Sequence, residues 1–233
     1  MDVSIIVPTY NEADNMRPLI SGIYQHLSPT QTEFEIIIVD DASPDQTADV
    51  AEALSPDYPV RVIRRQGIRG LSAAVIEGIN DSKATFCILM DADLSHPITQ
   101  LSPMIEILNS GDVDLVIGSR HIKGGGSTDW PFSRKLISWV AGTLAIGLTR
   151  MSDPTSGFMG IKRSLFQSLS LNPIGWKIVL ETVVKSQVPF KEIPIVFKDR
   201  IHGQSKLSII QNPMVILSYI RHIIQLHIYL LQR

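Results

Sequence analysis

The sequence predicts an α/β fold: a mostly parallel sheet with helices on both faces, followed by a C-terminal amphipathic helix. Short, nearly continuous apolar runs alternate with stretches of helical periodicity, a pattern typical of strands buried on both faces of a sheet. Polar and charged residues directly follow several of these runs. The carboxyl ends of parallel strands are where open sheets bind their ligands, so this edge is where we expect the functional site.

The apolar runs give the strands in chain order. They are 3–8 (VSIIVP), 34–41 (FEIIIVDD), 60–65 (VRVIRR), 84–93 (ATFCILMDAD), 112–120 (DVDLVIGSR) and 192–197 (EIPIVF). Helical patterns fall between them. The first opens at Asn11 and Glu12 and places Ile20, Ile23 and Leu27 on one face. The others run through ADVAEAL (48–54) and GLSAAVIEGIN (70–80).

Composition narrows the function classes. A chain of 233 residues that is 44% hydrophobic suits one large domain or a domain with a small appendage. The net charge of −2 and a pI near 6.3 provide no basic field for nucleic acid. One cysteine, Cys87, excludes a disulfide framework and agrees with a reducing compartment. We expect neither a signal peptide nor a membrane-spanning helix, because the apolar runs are too short.

Two carboxylates, Asp91 and Asp93, end the apolar run FCILM, in the stretch LMDADLSHP. Like charges held this close are unfavourable unless a cation lies between them. Oxygen ligands suit Mg²⁺ or Mn²⁺, and Mg²⁺ is usually held by one or two carboxylates together with substrate phosphates. The pair therefore predicts a divalent ion that binds a diphosphate.

Cationic residues in the second half of the chain complement these acids. They are Arg120, Arg134, Lys177, Arg200 and Lys206. Arginine binds phosphate through its planar fork and lysine as a point charge. Each of them could equally be a solvated surface charge, but their placement after apolar runs favours a phosphate-binding set.

Six segments together resemble a known family. They are SIIVPTYNEADN, IIIVDDASPDQT, ILMDADLSHP, LVIGSRHIKGGGSTDWPFSRKLIS, DPTSGFMGIKRSLF and IPIVFKDRIHGQSKLS. In this order they look like the successive motifs of polyprenyl-phosphate sugar transferases, spread from residue 3 to about 208. The group they resemble most is the dolichol-phosphate mannose synthases, inverting family 2 glycosyltransferases of the GT-A (Rossmann-like) fold.

The resemblance implies roles for individual residues. The base and ribose of the nucleotide would be held by Pro8, Tyr10, Glu12, Val39 and Asp41. The diphosphate would lie at Asp91, Ala92 and Asp93, with Asp93 as a metal ligand. Ser95 stands where prokaryotic relatives often carry a metal-binding glutamine, so it would be a weaker ligand for Mg²⁺ or Mn²⁺.

The resemblance also implies roles for the cationic residues. Arg120, Lys177, Arg200 and Lys206 would surround the diphosphate and the acceptor phosphate, and Arg134 would anchor the acceptor. The implied reaction transfers mannose from GDP-mannose to a polyprenyl (dolichyl) phosphate with inversion. The lipid's phosphate oxygen would be the nucleophile. Asp153 and Glu181 could assist, or could be a turn residue and a helix-surface charge.

The C-terminal segment 211–233 is predicted as an amphipathic helix appended to a catalytic domain at 1–210. Asn212 and Pro213 suit its start. Its polar stripe is formed by Ser218, Arg221, His222, Gln225, Tyr229, Gln232 and Arg233. We expect this helix to lie in a membrane interface, on the cytosolic face, where the lipid acceptor is reached. A core helix or an oligomer contact is the alternative. Some relatives carry further spans or recruit small membrane anchor subunits.

Other functions remain open at this point. A UDP-glucose-dependent polyprenyl-phosphate glucosyltransferase would keep the fold and change the sugar. A haloacid-dehalogenase-type phosphatase would use the first aspartate of ILMDADLS as nucleophile, but it normally places that motif on its first strand. A non-catalytic subunit would hold a nucleotide sugar without transferring it, and the intact carboxylates and basic set argue against this alternative.

Overall fold

The computed structural model describes residues 1–67, 69–128, 142–172, 175–198 and 213–232, with side chains of the last range from 217 onward. The strands in these ranges are β1 (Val3–Thr9), β2 (Phe34–Asp40), β3 (Val60–Arg64), β4 (Phe86–Leu89), β5 (Leu115–Ser119), β6 (Gly126–Ser127), β7 (Met159–Lys162), β8 (Lys191–Pro194) and β9 (Val196–Phe197). The helices are α1 (Ala13–Leu27), α2 (Thr47–Glu52), α3 (Leu71–Asp81), α4 (Leu101–Ser110), α5 (Arg163–Gln167), α6 (Ile178–Ser186) and α7 (Pro213–Leu231).

Within these ranges a seven-stranded sheet has the order β3-β2-β1-β4-β7-β5-β8. Strands β1 to β4 pair in parallel, and β8 is parallel to β5. The prediction of a mostly parallel α/β sheet is therefore confirmed. Strand β7 is the exception, since it runs antiparallel to both β4 and β5. The predicted strand at 192–197 is divided between β8 and β9, and β9 pairs with β6 in a separate two-stranded sheet.

The alternation of side chains along the strands explains the two apolar layers. In β1, Ile5 and Val7 point into one layer and Ile6 into the other, as a period of two requires. Helices α1 and α4 cover the first layer; α3, α6 and α7 cover the second. Each fully buried Ile or Leu contributes about 1.5–3 kcal/mol to folding, so the two layers hold the helices on the sheet, and the parallel pairing places the carboxyl ends of β1, β2 and β4 at one edge.

Helix α7 packs against the second layer through one side only. Tyr219, Ile223 and Leu226 are buried there. His222 belongs to the polar stripe predicted for this helix, but it is buried against the protein. The predicted stripe therefore does not face solvent along its whole length. None of the helices in the described part of the chain has the length and apolar character needed to cross a membrane. The boundary between a domain at 1–210 and a helix at 211–233 stays a prediction.

Candidate active site

The carboxyl ends of β1, β2 and β4 lie side by side at one edge, because these strands are parallel neighbours. After each strand the chain turns through a non-glycine residue in the left-handed region. These residues are Asn11 (φ 54°), Ala42 (φ 56°) and Leu94 (φ 61°). Each directly follows a predicted ligand residue: Tyr10, Asp41 and Asp93. Non-glycine residues in this region concentrate at functional sites.

The turn after β4 holds the two predicted metal-binding acids in different surroundings. Asp93 is buried and its Oδ1 accepts hydrogen bonds from the Ser95 backbone N–H (3.1 Å) and hydroxyl (2.5 Å). The Ser95 hydroxyl proton is therefore directed at Asp93. The Asp91 side chain is 33% exposed and faces the site. Ala92, between them, is buried.

The surroundings of Asp91 fit a divalent ion. A Cβ built on Gly157 would make ordinary van der Waals contact, at 3.8 Å, with both carboxylate oxygens of Asp91. The glycine backbone therefore lies beside this partly exposed acid without crowding it. Two carboxylates offer the hard oxygen donors that Mg²⁺ and Mn²⁺ prefer. The described residues contain no cluster of three or more metal-ligating side chains. Substrate phosphate oxygens and water would have to complete the coordination.

Arg120 is held rigidly at the end of β5 by a buried acid. Its Nε and Nη2 donate to Asp153 Oδ2 (2.6 Å) and Oδ1 (2.7 Å), and its Nη2 also donates to the Thr155 hydroxyl (2.5 Å). Burial alone would raise the pKa of Asp153, but Arg120 outweighs burial and holds it well below the usual range. Asp153 thus orients Arg120 and stabilises its charge.

Lys177 brings a second buried cation to the same place. Its Nζ donates to the Thr155 carbonyl (2.8 Å) and lies 3.6 Å from the centre of the Trp176 ring. Thr155 therefore contacts both cations, Arg120 with its hydroxyl and Lys177 with its carbonyl. Burial, together with the nearby charge of Arg120, holds the pKa of Lys177 well below its usual value. An arriving anion would favour the charged form of this amine.

The predicted nucleotide end of the site lies at β1, β2 and the loop before α3. Pro8 and Val39 are partners in the β1–β2 register. Asp41 accepts hydrogen bonds from the Gly70 backbone (2.7 Å) and from Arg65. Glu12 accepts one from the Asn15 amide (2.7 Å).

Tyr10 has a cationic neighbour from the same loop. Arg69 donates to the Tyr10 hydroxyl (2.7 Å), and its guanidinium carbon lies 4.5 Å from the ring centre. Sequence reasoning missed Arg65 and Arg69. The arginine-rich stretch VRVIRRQGIRG was the available signal, but such runs usually indicate a solvated surface.

Three predicted site residues fall outside the described residues: Arg134, Arg200 and Lys206. The structure brings the remaining predicted residues to the one edge at the ends of β1, β2, β4 and β5 and the start of α6. It adds Thr155, Trp176 and His96, to which the sequence analysis assigned no role, since their contacts arise only in the folded chain.

Helix α7 presents an unusual surface next to this site. Its exposed stripe consists of large apolar side chains at helical spacing: Leu217, Ile220, Ile224, Ile228 and Leu231. On its inner side Tyr219 stacks on Trp176 at 6.1 Å between ring centres. His222 Nε2 lies 3.3 Å from Oε2 of the buried Glu181. The helix thus buries Tyr219 and His222 beside Ile223 and Leu226, and exposes large apolar residues alongside Arg221, His227 and Gln232.

Comparison with solved structures defines the class first. The chain superposes with a TM-score of 0.67 on glucosyl-3-phosphoglycerate synthase from Mycobacterium tuberculosis, solved in complex with Mn²⁺, UDP and phosphoglyceric acid. The identity is 17%, and the match covers 95% of this chain and 78% of the other. The fold is therefore that of a GT-A glycosyltransferase.

Sequence comparison then gives the family. The model for glycosyl transferase family 2 matches residues 4–170. The chain is 42% identical to a dolichol-phosphate mannosyltransferase of Pyrococcus furiosus, over 97% of this chain and 64% of that protein. It is 35% identical to the dolichol-phosphate mannosyltransferase of Saccharomyces cerevisiae, over 98% of this chain and 88% of that protein. The chain belongs to glycosyl transferase family 2 and, within it, to the dolichol-phosphate mannosyltransferases.

Proposed function

We propose that this protein transfers mannose from GDP-mannose to a dolichyl or other polyprenyl phosphate with inversion, releasing GDP. The relatives' names support the sugar and the lipid. The observation that carries the proposal is that Asp91 and Asp93 lie at the same edge of the sheet as two cations with buried side chains, Arg120 and Lys177. Asp91 is close enough to Lys177 to act on it electrostatically. This arrangement suits two phosphorylated substrates that must approach one another.

The donor diphosphate would lie against Asp91 and Asp93. The two acids would hold a divalent ion, which would supply charge neutralisation for the leaving diphosphate. Asp153 already orients the Arg120 guanidinium before the substrate binds, so this side chain would need little reorganisation as charge develops on the leaving group. The base and ribose would lie at Tyr10 and Asp41.

The acceptor needs no dedicated base. A phosphate monoester has a second pKa near ~6, so at neutral pH its oxygen is already largely ionised. The protein has to position this oxygen behind the anomeric carbon and to offset the repulsion between two polyanions. Lys177 and Arg120 would do so, with Arg134, Arg200 and Lys206 as the predicted additions. In-line attack on the α-linked donor would give a β-linked product.

The exposed stripe of α7 would bring the enzyme to its lipid substrate. Apolar residues repeat at every turn on the outer side of this helix, and a helix of this kind lies in the headgroup region of a bilayer. We place the reaction on the cytosol-facing surface, the endoplasmic reticulum in a eukaryote or the plasma membrane in a prokaryote. The single cysteine agrees with a reducing compartment.

A transfer assay tests the substrates. Four radiolabelled nucleotide sugars, including GDP-mannose and UDP-glucose, are crossed with dolichyl and undecaprenyl phosphate in the presence of Mg²⁺ or Mn²⁺. We expect transfer from GDP-mannose. Transfer from UDP-glucose alone would assign the glucosyltransferase activity instead, and nucleotide binding without transfer would indicate a binding subunit.

The acceptor role of Arg134 has its own test. Arg134→Ala is expected to raise the KM for the lipid phosphate more than the KM for GDP-mannose, because the residue is assigned to the acceptor. Equal changes in both constants would contradict that assignment.

Flotation with vesicles containing polyprenyl phosphate tests the membrane role. The double variant Ile224→Glu, Ile228→Glu should lose vesicle binding while keeping its circular dichroism spectrum, because both side chains are exposed. Gln31→Glu, which precedes β2 at the opposite edge of the sheet, is the matched control and should bind normally. If the wild type does not bind vesicles, small membrane anchor subunits become the expected partners of the stripe.

A further inference from the structure

His96 belongs to the stretch DADLSHP, yet the proposed reaction assigns it no role. Its ring is 2% exposed. It stacks on Phe158, with 4.9 Å between ring centres and an angle of 15° between the planes. It meets Phe197 edge-on at 5.6 Å. A Cβ on Gly118 would lie 2.6 Å from Phe158, so this glycine leaves the room that the aromatic group needs. The imidazole is therefore fixed in one orientation.

Both ring nitrogens of this fixed imidazole face Asp91. Nδ1 accepts a hydrogen bond from the Asp91 backbone N–H at 3.0 Å. An accepting Nδ1 carries no proton, so the proton of the neutral ring is on Nε2. Nε2 lies 3.7 Å from Asp91 Oδ2. His96 thus contacts the main chain of Asp91 at one end and approaches its carboxylate at the other.

The aromatic contacts of His96 also reach the cationic side of the site. The guanidinium carbon of Arg120 lies 5.6 Å from the centre of the Phe197 ring, the ring that His96 meets edge-on. The Lys198 backbone N–H donates to the Ser95 carbonyl at 3.2 Å, which ties the same strand to the acid turn. The ring that packs edge-on against His96 therefore also lies near Arg120.

We propose that His96 is a positioning residue for the donor site: it fixes the backbone and the carboxylate direction of Asp91 towards the divalent ion and the donor diphosphate. The proposal rests on the proposed function, because it takes Asp91 as part of the metal–diphosphate site. Groups that orient metal ligands typically change metal affinity by about 10–100-fold when removed. The backbone hydrogen bond at Nδ1 is expected to be the larger contribution, since 3.7 Å is too long for a direct hydrogen bond at Nε2.

The test compares two amide variants that lose the ring equally. In His96→Asn the amide oxygen can take the place of Nδ1 and accept from the Asp91 N–H; in His96→Gln the amide takes the place of Nε2. Mn²⁺ affinity in the presence of GDP is measured by electron paramagnetic resonance, independently of activity. We expect His96→Gln to bind Mn²⁺ about tenfold or more weakly than His96→Asn. Equal affinities in the two variants would overturn the proposal.

A third variant covers the possibility that loss of the ring unfolds the protein. His96→Phe keeps an aromatic ring against Phe158 and removes both nitrogens. It should fold, as judged by circular dichroism, and should still lose Mn²⁺ affinity; wild-type affinity would overturn the proposal. Wild-type mannosyl transfer is assayed in parallel. Absence of transfer by the wild type overturns the proposed function, whereas the Mn²⁺ comparison decides the role of His96 by itself.

Discussion

Asp40–Asp41 and Asp91–Asp93 both follow apolar strands at the same edge of the sheet, but their surroundings differ. Asp40 accepts hydrogen bonds from Thr9 and Ser43, and Asp41 accepts them from Arg65 and Gly70. The first pair therefore builds the turn after β2 and anchors the loop before α3.

The second pair is held from within its own turn, by Ser95 at Asp93 and by His96 at Asp91. The Asp91 side chain is also 33% exposed, whereas that of Asp41 is 11% exposed. Two similar acid pairs can thus have different functions, and the difference lies in which groups donate to them. Five substitutions and one pH dependence test this comparison.

The largest effect is expected for Asp93→Asn. The amide keeps the shape of the side chain and can still accept from Ser95, but it removes the charge that a divalent ion requires. We expect mannosyl transfer to fall by about 10³-fold or more, with an unchanged thermal unfolding midpoint. Asp49→Asn, at an exposed acid of α2, is the control. Wild-type rates in Asp93→Asn would show that the second pair has no metal role.

Asp153→Asn adds a third kind of acid to the comparison, because Asp153 is buried and both of its carboxylate oxygens accept hydrogen bonds from Arg120. The change leaves Arg120 buried without its counter-charge, which is expected to cost about 3 kcal/mol in the free energy of unfolding at pH 7. Urea unfolding measures this. Asp114→Asn removes a half-exposed partner of Lys162 and should leave stability unchanged. An equal effect of both variants would contradict the account of Arg120.

The same acid gives a pH dependence with a defined sign. Arg120 holds the pKa of folded Asp153 well below the ordinary value of 3.8. Its contribution to stability is therefore complete above about pH 4 and is lost as the pH falls further. Asp153→Asn should have a flatter acid limb in urea unfolding. Glu181 remains and acts in the same direction, because hydrogen bonds outweigh its burial and lower its pKa. A steeper limb in the variant would contradict this assignment.

Asp40→Ala tests the first pair. The carboxylate is buried and accepts from the Thr9 hydroxyl (3.0 Å) and the Ser43 backbone (2.9 Å). Losing these bonds should lower the free energy of unfolding by about 2 kcal/mol. At temperatures where the variant is folded, its Mn²⁺ affinity with GDP should match the wild type. A stable variant with impaired Mn²⁺ binding would mean that the two acid pairs share one role.

The smallest effect concerns the left-handed residues that follow each pair. Ala42 is exposed, so Ala42→Gly should relieve the left-handed backbone and stabilise the protein by about 1 kcal/mol or less. Leu94 packs against the first apolar layer, so Leu94→Gly should be destabilising despite the same relief. Thermal unfolding of both variants measures the contrast. Equal shifts would indicate that packing at Leu94 contributes nothing.

The strands with continuous apolar runs could be predicted from the sequence, because burial on both faces leaves few polar residues in β1, β2 and β4. Strand β7 could not, since its four residues MGIK are too short to show a period. The acids at the strand ends could be predicted as well, because they stand out where a continuous apolar run stops. Thr155 and His96 were not, because their roles depend on a backbone carbonyl and an aromatic packing that only the folded chain creates. The inward turn of His222 depends likewise on Glu181 from another helix.

The central claim is that Asp91 and Asp93 bind a divalent ion that holds the donor diphosphate beside Arg120 and Lys177. Crystals soaked with Mn²⁺ and GDP test it most directly, through anomalous diffraction at the manganese edge. We predict one strong peak at the two carboxylates, with the diphosphate oxygens between that peak and the two cations. A manganese peak elsewhere, or a diphosphate bound away from Asp93 with Arg120 turned to solvent, would contradict the account.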